Sequence, residues 1–149
     1  FVREAVETQV VRRIVEAPPD PQGLQALDDC IAHQAAMLRA QDLEGTMQAD
    51  DAFHHTLLDL CGMGGIWSVI GQARDMHRRV RAIAVPELQS GDQALADHRA
   101  IVQALRLRDA ALAEQCVVAH LRRNALLMRR IANLHPDYFE VDERDNPVL

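Results

Sequence analysis

Apolar residues recur along this chain with the spacing of helix faces rather than of strands. Val2, Ala5, Val6, Val10 and Ile14 fall near one stripe, the recurrence expected of a 3.6-residue period. The stretch APPDP stops this first helix, because proline has no amide hydrogen for the helical ladder. Asp20 is suited to cap the next helix, with Pro21 at its first position, where a missing N–H costs nothing. That second helix carries Leu24, Leu27, Ile31, Ala35 and Leu38. Asp42 opens a third, with Glu44 in its first turn, where a negative charge meets the positive end of the helix dipole. It carries Met47, Phe53, Leu57 and Leu58, and CGMGG ends it. A fourth helix is predicted from about Ile66 to Ala84, its stripe being Ile66, Val69, Ile70, Ala73, Met76, His77 and Val80. VPELQSGDQ reads as a loop with Pro86 and Gly91 as breakers. The fifth helix holds Leu95, His98, Ile101, Val102 and Leu105. RLRDA turns into the sixth, which Asp109 caps and which presents Leu112, Cys116, Val117, His120, Leu121, Leu127 and Ile131. The tail HPDYFEVDERDNPVL reads as exposed or frayed.

No repeat, low-complexity tract or domain boundary interrupts this row, so the expected fold is a single all-α helical bundle. Composition agrees. The 149 residues are 48% hydrophobic but only 3% aromatic, which favours packing by Leu, Ile, Val, Ala and Met on helices. The net charge of −6 makes the domain a poor DNA binder by itself, since phosphate contacts dominate that affinity. Arginines do cluster, in RDMHRRVR and HLRRNALLMRR, but on helices that also carry apolar stripes. No apolar run reaches membrane-spanning length, and no signal peptide is seen. Cys30, Cys61 and Cys116 are isolated thiols without a C-x-x-C spacing. They read as small apolar core residues in a reduced, cytoplasmic setting. The chain begins at Phe1 rather than Met, as a fragment would.

Three histidines and one aspartate are out of place on this pattern. His98 lies inside the stripe from Leu95 to Leu105, and His120 lies between Val117 and Leu121. Asp50 and His54 share a helix face beside Leu57 and Leu58, because residues four apart point the same way. A single histidine on an apolar face is ordinarily a hydrogen-bonded core residue. Three of them with an aspartate, on helices that must pack together, also form a chemically sensible set for Zn, Ni, Mn or Fe. His33, His55, His77 and His135 lie off the stripes or at helix ends, with His77 on an apolar edge.

The order of these residues resembles a known family. DDAFHHTLLDLCG, then GMGGIWSVIGQARDMHRRVRAI, then DHRAIVQALRLRDAALAEQCVVAHL are similar to the effector-binding (FCD) domain of GntR-superfamily transcription regulators, in the branch named for the fatty-acid regulator FadR. Met63 or Gly64 stands where that family often has Asn. The resemblance covers nearly the whole chain, to about residue 131, and makes residues 1–149 an FCD-type domain lacking the winged-helix DNA-binding half that precedes it in the family. It implies an antiparallel bundle of six to seven helices around a central metal and ligand cavity. Carried over by position, Asp50, His54, His98 and His120 would be the metal ligands, with Asp51 an alternative to Asp50. The cofactor would be a divalent transition metal, zinc ahead of nickel, manganese or iron. The metal-binding subgroup is associated with small organic acids whose carboxylate meets the metal, and with homodimers.

A bound acid needs counter-charge beyond the cation. Arg74 and Arg81 flank the apolar face of the fourth helix and are the candidates to grip a carboxylate, with Arg78 pointing further out. Solvated or surface-paired arginines are the plain alternative. Trp67 is read as core packing, and Glu7 and Glu114 as surface residues. Two other functions compete with the sensor. One is a metal-dependent hydrolase, set back by the lack of a second Glu or His on the buried faces to act as a base. The other is a purely structural bundle whose core histidines are satisfied by hydrogen bonds.

Overall fold

The computed structural model describes residues 2–70 and 90–134. Among them are five α-helices and one 3-10 helix: α1 (Val2–Glu16), α2 (Pro21–Arg39), α3 (Leu43–Leu60), the 3-10 helix Gly64–Ser68, α4 (Ser90–Arg106) and α5 (Ala110–Leu134). No described helix is long and apolar enough to cross a membrane.

The helix ends follow the local chemistry closely. Asp20 accepts the amide of Gly23 at 2.8 Å, and Asp42 that of Gly45 at 2.9 Å. Asp109 accepts the amide of Leu112 at 2.9 Å. Asp42 and Asp109 do double duty. The amide of Asp42 returns to the Met37 carbonyl and that of Asp109 to the Ala104 carbonyl, closing the preceding helix in a Schellman motif. One residue thus ends α2 and starts α3, and another does the same for α4 and α5. Such tight connections fold each pair into an antiparallel hairpin. The motif needs a left-handed residue just before the aspartate, and here Gln41 (φ 56°) and Arg108 (φ 54°) take that conformation. The end of α3 uses Gly62 (φ 71°), which bears it without a Cβ penalty.

Packing closes the helices into a ring. α1 lies against α3, α3 along α2, α2 against α4, α4 along α5, and α5 back along α1. Val10, Ile14, Leu27, Phe53, Leu57, Ile101, Val102 and Val117 fill the interior, all at or near zero exposure. Arg12 clamps Glu114 with two hydrogen bonds and Arg122 clamps Glu4 likewise, fastening the outside of α1 to α5.

Several expectations need correction. Six to seven helices were expected; the described residues hold five and a 3-10 turn. The fourth helix does not begin as an α-helix at Ile66, where a 3-10 helix runs to Ser68, and Val69 is 75% exposed rather than on a buried stripe. The remainder of that predicted helix, with Arg74, His77, Arg78 and Arg81, lies outside the described residues, as does His135. Gly91 is not a breaker but sits in the first turn of α4. A Cβ there would stand 2.5 Å from Leu38 Cδ1, so the missing side chain lets α4 approach α2 closely. The buried face of α1 is Glu7, Val10, Val11 and Ile14; Val2 and Ala5 are exposed. Leu112 is exposed as well, and Ala113 takes the inward position on α5.

Candidate metal centre

Each helix of the ring contributes one polar layer to an otherwise apolar stripe. On α1 it is Glu7, one turn before Val10 and Val11. On α2 it is Gln34, one turn after Ile31. On α3 it is Asp50 and His54, before Leu57 and Leu58. On α4 it is His98, before Ile101 and Val102, and on α5 it is His120, after Val117. Because the connected helices run antiparallel, these positions stack at one height. The bundle therefore has a polar slab lying on an apolar core.

Asp50, His54, His98 and His120 meet in this slab. Each offers one ligand atom, and the four atoms lie within 4.8 Å of one another. All four side chains are buried, the histidines at 1%, 0% and 1% exposure. His120 Nε2 is 3.2 Å from His54 Nε2, and His98 Nε2 is 3.6 Å from Asp50 Oδ1. Ligand atoms bound to one transition metal at about 2.0–2.2 Å stand roughly 3–3.6 Å apart when adjacent. These two spacings fit that range. Phe53 stacks on the His98 ring at 4.0 Å and 14° and walls the centre from the core.

The outer contacts decide which nitrogen of each ring faces inward. His54 donates Nδ1–H to Glu7 Oε2 at 2.8 Å, and His120 donates Nδ1–H to Asp97 Oδ2 at 3.3 Å. Carboxylates accept only, so the donors are fixed. His98 donates Nδ1–H to Gln34 Oε1 at 2.9 Å, while Gln34 Nε2 donates to Asp50 Oδ1 at 3.1 Å. That second bond sets the orientation of the amide. All three rings thus present an unprotonated Nε2 to the cluster, the arrangement that outer carboxylates and carbonyls impose on metal-binding histidines.

Two consequences follow from this tautomer. The facing Nε2 atoms of His54 and His120 bring lone pairs together and repel, relieved on one side by Asn124 Nδ2, which donates to His120 Nε2 at 3.2 Å. Among the described residues His98 Nε2 is buried with no hydrogen-bond partner, a cost of about 1–3 kcal/mol that native proteins rarely leave unexplained. A cation between the four atoms answers both, and the donor set suits one.

Electrostatics point the same way. Burial, reinforced by the neighbouring rings, holds His98 well below the usual imidazole range, and burial also lowers His54. The imidazoles of His54 and His98 are therefore neutral near pH 7, the form that binds metal. Burial pushes the Glu7 carboxyl up, but the charges and hydrogen bonds of His54 and Arg3 outweigh it and hold it at about 2. Asp97 is held at about 2, the hydrogen bonds of His120, Gln93 and Arg123 overcoming its desolvation.

The structure brings together all four predicted metal ligands. Asp51 is half-buried and outside that group. Arg74 and Arg81 lie outside the described residues. Trp67 packs partly buried against the core and stacks on His55 at 5.4 Å, and the cysteines are free and half-buried at the core's edge. Glu114 is half-buried in its ion pair with Arg12. Glu7 is the error of sequence reading. It is not a surface residue but 0% exposed, hydrogen-bonded to a histidine of the cluster. A further carboxylate therefore does lie on the buried faces, although both its oxygens are occupied, by His54 and by Arg3 Nε at 2.7 Å. Its signal was positional: Glu7 precedes Val10, Val11 and Ile14 by three, four and seven residues. Gln34, between Ile31 and Ala35, carried the same signal.

Comparison with known proteins identifies the family of the chain. The family described as the FCD domain matches residues 1–123. An HTH-type transcriptional regulator in an unstable DNA locus of Streptomyces ambofaciens is 32% identical over 148 residues, 99% of this chain and 61% of the relative. The HTH-type transcriptional repressor RspR of Escherichia coli K12 is 26% identical over 139 residues, 93% of this chain and 60% of the relative. The chain thus spans about three fifths of the length of these curated relatives.

Proposed function

The chain belongs to the FCD domain family, and from that premise we propose that it is the effector-sensing domain of a bacterial GntR-type transcription regulator, of the metal-binding subgroup. The observation that carries the metal reading is His98 Nε2, a buried nitrogen with no hydrogen-bond partner among the described residues, converging with three other candidate ligand atoms. Asp50, His54, His98 and His120 hold a divalent transition ion in this reading, zinc before nickel, manganese or iron. When bound, that ion supplies the positive charge a small organic acid's carboxylate needs in a buried cavity.

The chain's own residues do the rest. Glu7, Gln34 and Asp97 hold the rings so that each Nε2 faces inward. Phe53 and the apolar core below keep bulk water from the slab. Asn124, one turn after His120 and half-buried, offers an amide donor at the edge of the centre. Arg74 and Arg81 remain the proposed guanidinium grip on the acid, on the strength of their helical spacing.

Sensing requires that the acid bind one arrangement of the bundle better than another. In a whole regulator, that difference would change how a cytoplasmic dimer presents its DNA-binding heads; DNA contact belongs to a segment beyond this acidic domain. The relatives' names as regulators favour this reading over a hydrolase, and the occupied oxygens of Glu7 leave no free base there.

The test is metal analysis followed by ligand screening. The purified chain is expected to carry about one transition-metal ion, and His98→Ala to carry none. Sugar acids, hydroxy acids and dicarboxylates are then added to the metal-loaded chain. A matching acid raises the melting midpoint by mass action. A wild-type chain that holds no metal under any loading condition sinks the reading. A loaded chain that responds to none of these acids sinks the effector class alone.

A further inference from the structure

We propose that Glu7 is a positioning residue of the metal centre, acting through His54, and that it makes the docking of α1 depend on metal occupancy. This rests on the metal reading above and adds to it a contact from a helix that holds none of the four ligands.

The placement of Glu7 is costly unless it serves something. Its carboxylate is fully buried on a face otherwise built of Val10, Val11 and Ile14. A charge taken out of water is expensive, and well-packed apolar side chains commonly replace buried ion pairs at no loss of stability. Packing alone would have been served by a leucine. What the carboxylate adds is a hydrogen bond to His54 Nδ1 at 2.8 Å, made with one oxygen while Arg3 Nε holds the other at 2.7 Å. The side chain cannot rotate without losing one of these partners.

Two effects on the centre follow. The bond fixes His54 as the Nδ1–H tautomer, so its Nε2 lone pair points at the ion, and it makes that nitrogen a better donor. The carboxylate also adds a negative charge within one imidazole ring of a site whose four candidate ligands include a single carboxylate, Asp50, as Asp97 does through His120. The other rings are held from elsewhere: His98 by Gln34 of α2, and His120 by Asp97 of α4. The bond from Glu7 to His54 joins α1 to α3. An ion held by Nε2 would polarise the imidazole, making Nδ1–H a stronger donor to Glu7, and with it would strengthen the seating of α1.

The experiment uses the whole 149-residue chain, stripped with a chelator and titrated with Zn2+ and separately with Ni2+ against a competing chelator. Glu7→Gln keeps the shape and an acceptor for His54 but removes the charge. It is expected to weaken metal binding about 10–100-fold, the range for outer partners of metal-binding histidines. Glu114→Gln, which breaks an exposed pair between α1 and α5, leaves the affinity unchanged. Should Glu7→Gln fail to fold with Arg3 left unpaired, Arg3→Met/Glu7→Gln removes both charges and carries the same expectation. Amide exchange across α1 slows on metal loading in the wild type and does not in these variants. Wild-type affinity in a folded Glu7 variant overturns the proposal while leaving the metal centre intact; a wild type that binds neither ion removes both.

Discussion

Helix α1 carries two glutamates three residues apart, and the fold treats them in opposite ways. Glu4 reaches outward and is held by both arms of Arg122, whose side chain is 67% exposed. Glu7 reaches inward, is 0% exposed, and is shared between Arg3 and His54. Bond lengths hardly distinguish them, since each accepts from an arginine at 2.7 Å. Water does. Around Glu4 it screens the pair, so losing a partner costs little. Glu7 is sealed from bulk water at 0% exposure, so each partner is indispensable to the others.

The comparison is broken most directly by removing each carboxylate. Glu7→Leu strands the Arg3 charge and the His54 Nδ1–H in the interior and is expected to cost about 3–5 kcal/mol in denaturant unfolding of the metal-free chain. Arg3→Leu/Glu7→Leu should recover much of that loss. A Glu7→Leu chain as stable as the wild type would place Glu7 among the ordinary surface pairs.

The next largest effect is pH. His54 and His98 sit below their usual pKa when folded, whereas an unfolded histidine titrates near 6.5. Below that value the unfolded chain takes up protons that the folded chain refuses, so stability falls on acidification, by up to about 1.4 kcal/mol per pH unit for each proton. Glu7 and Asp97, both held at about 2, contribute stability above their unfolded values that is lost as pH falls from about 4.5 towards about 2. Chemical denaturation of the chelated chain at pH 7.5, 6 and 5 should show a steady decline. A flat profile above pH 5 would mean that the slab is not dry.

Smaller effects belong to the helix ends. Gln41→Gly and Arg108→Gly relieve left-handed backbone at the two Schellman motifs and should each raise stability by about 0.5–1 kcal/mol in thermal melts. Smallest of all, Glu4→Gln should leave the melting midpoint unchanged within error at moderate salt. A loss on the scale of Glu7→Leu would erase the distinction between the two glutamates.

Residues whose signal is local were legible in the sequence. Asp20, Asp42 and Asp109 cap helices because a side-chain oxygen reaches an amide three residues on, a contact that needs no tertiary structure. Asp50 and His54 share a face for the same reason. His98 and His120 stood out because each interrupts an apolar stripe on its own helix. The family resemblance then tied the four into one set, and the structure sets them within 4.8 Å.

Glu7, Gln34 and Asp97 were a different matter. Each occupies a stripe or its edge, but a charged or amide side chain near an apolar stripe is usually turned to solvent, and Glu7 was read that way. Only the ring closure of α1 on α3, and of α2 on α4, brings Glu7 onto His54 and Gln34 onto His98. Helix periodicity tells which way a residue points along its own axis, and it located the five described helices and the inward direction of the four proposed ligands. It says nothing of the height at which one helix meets another. That stagger, set by the tight aspartate turns and the fit of the apolar core, decided that six polar side chains share a single slab and that a glutamate on the first helix touches a histidine on the third.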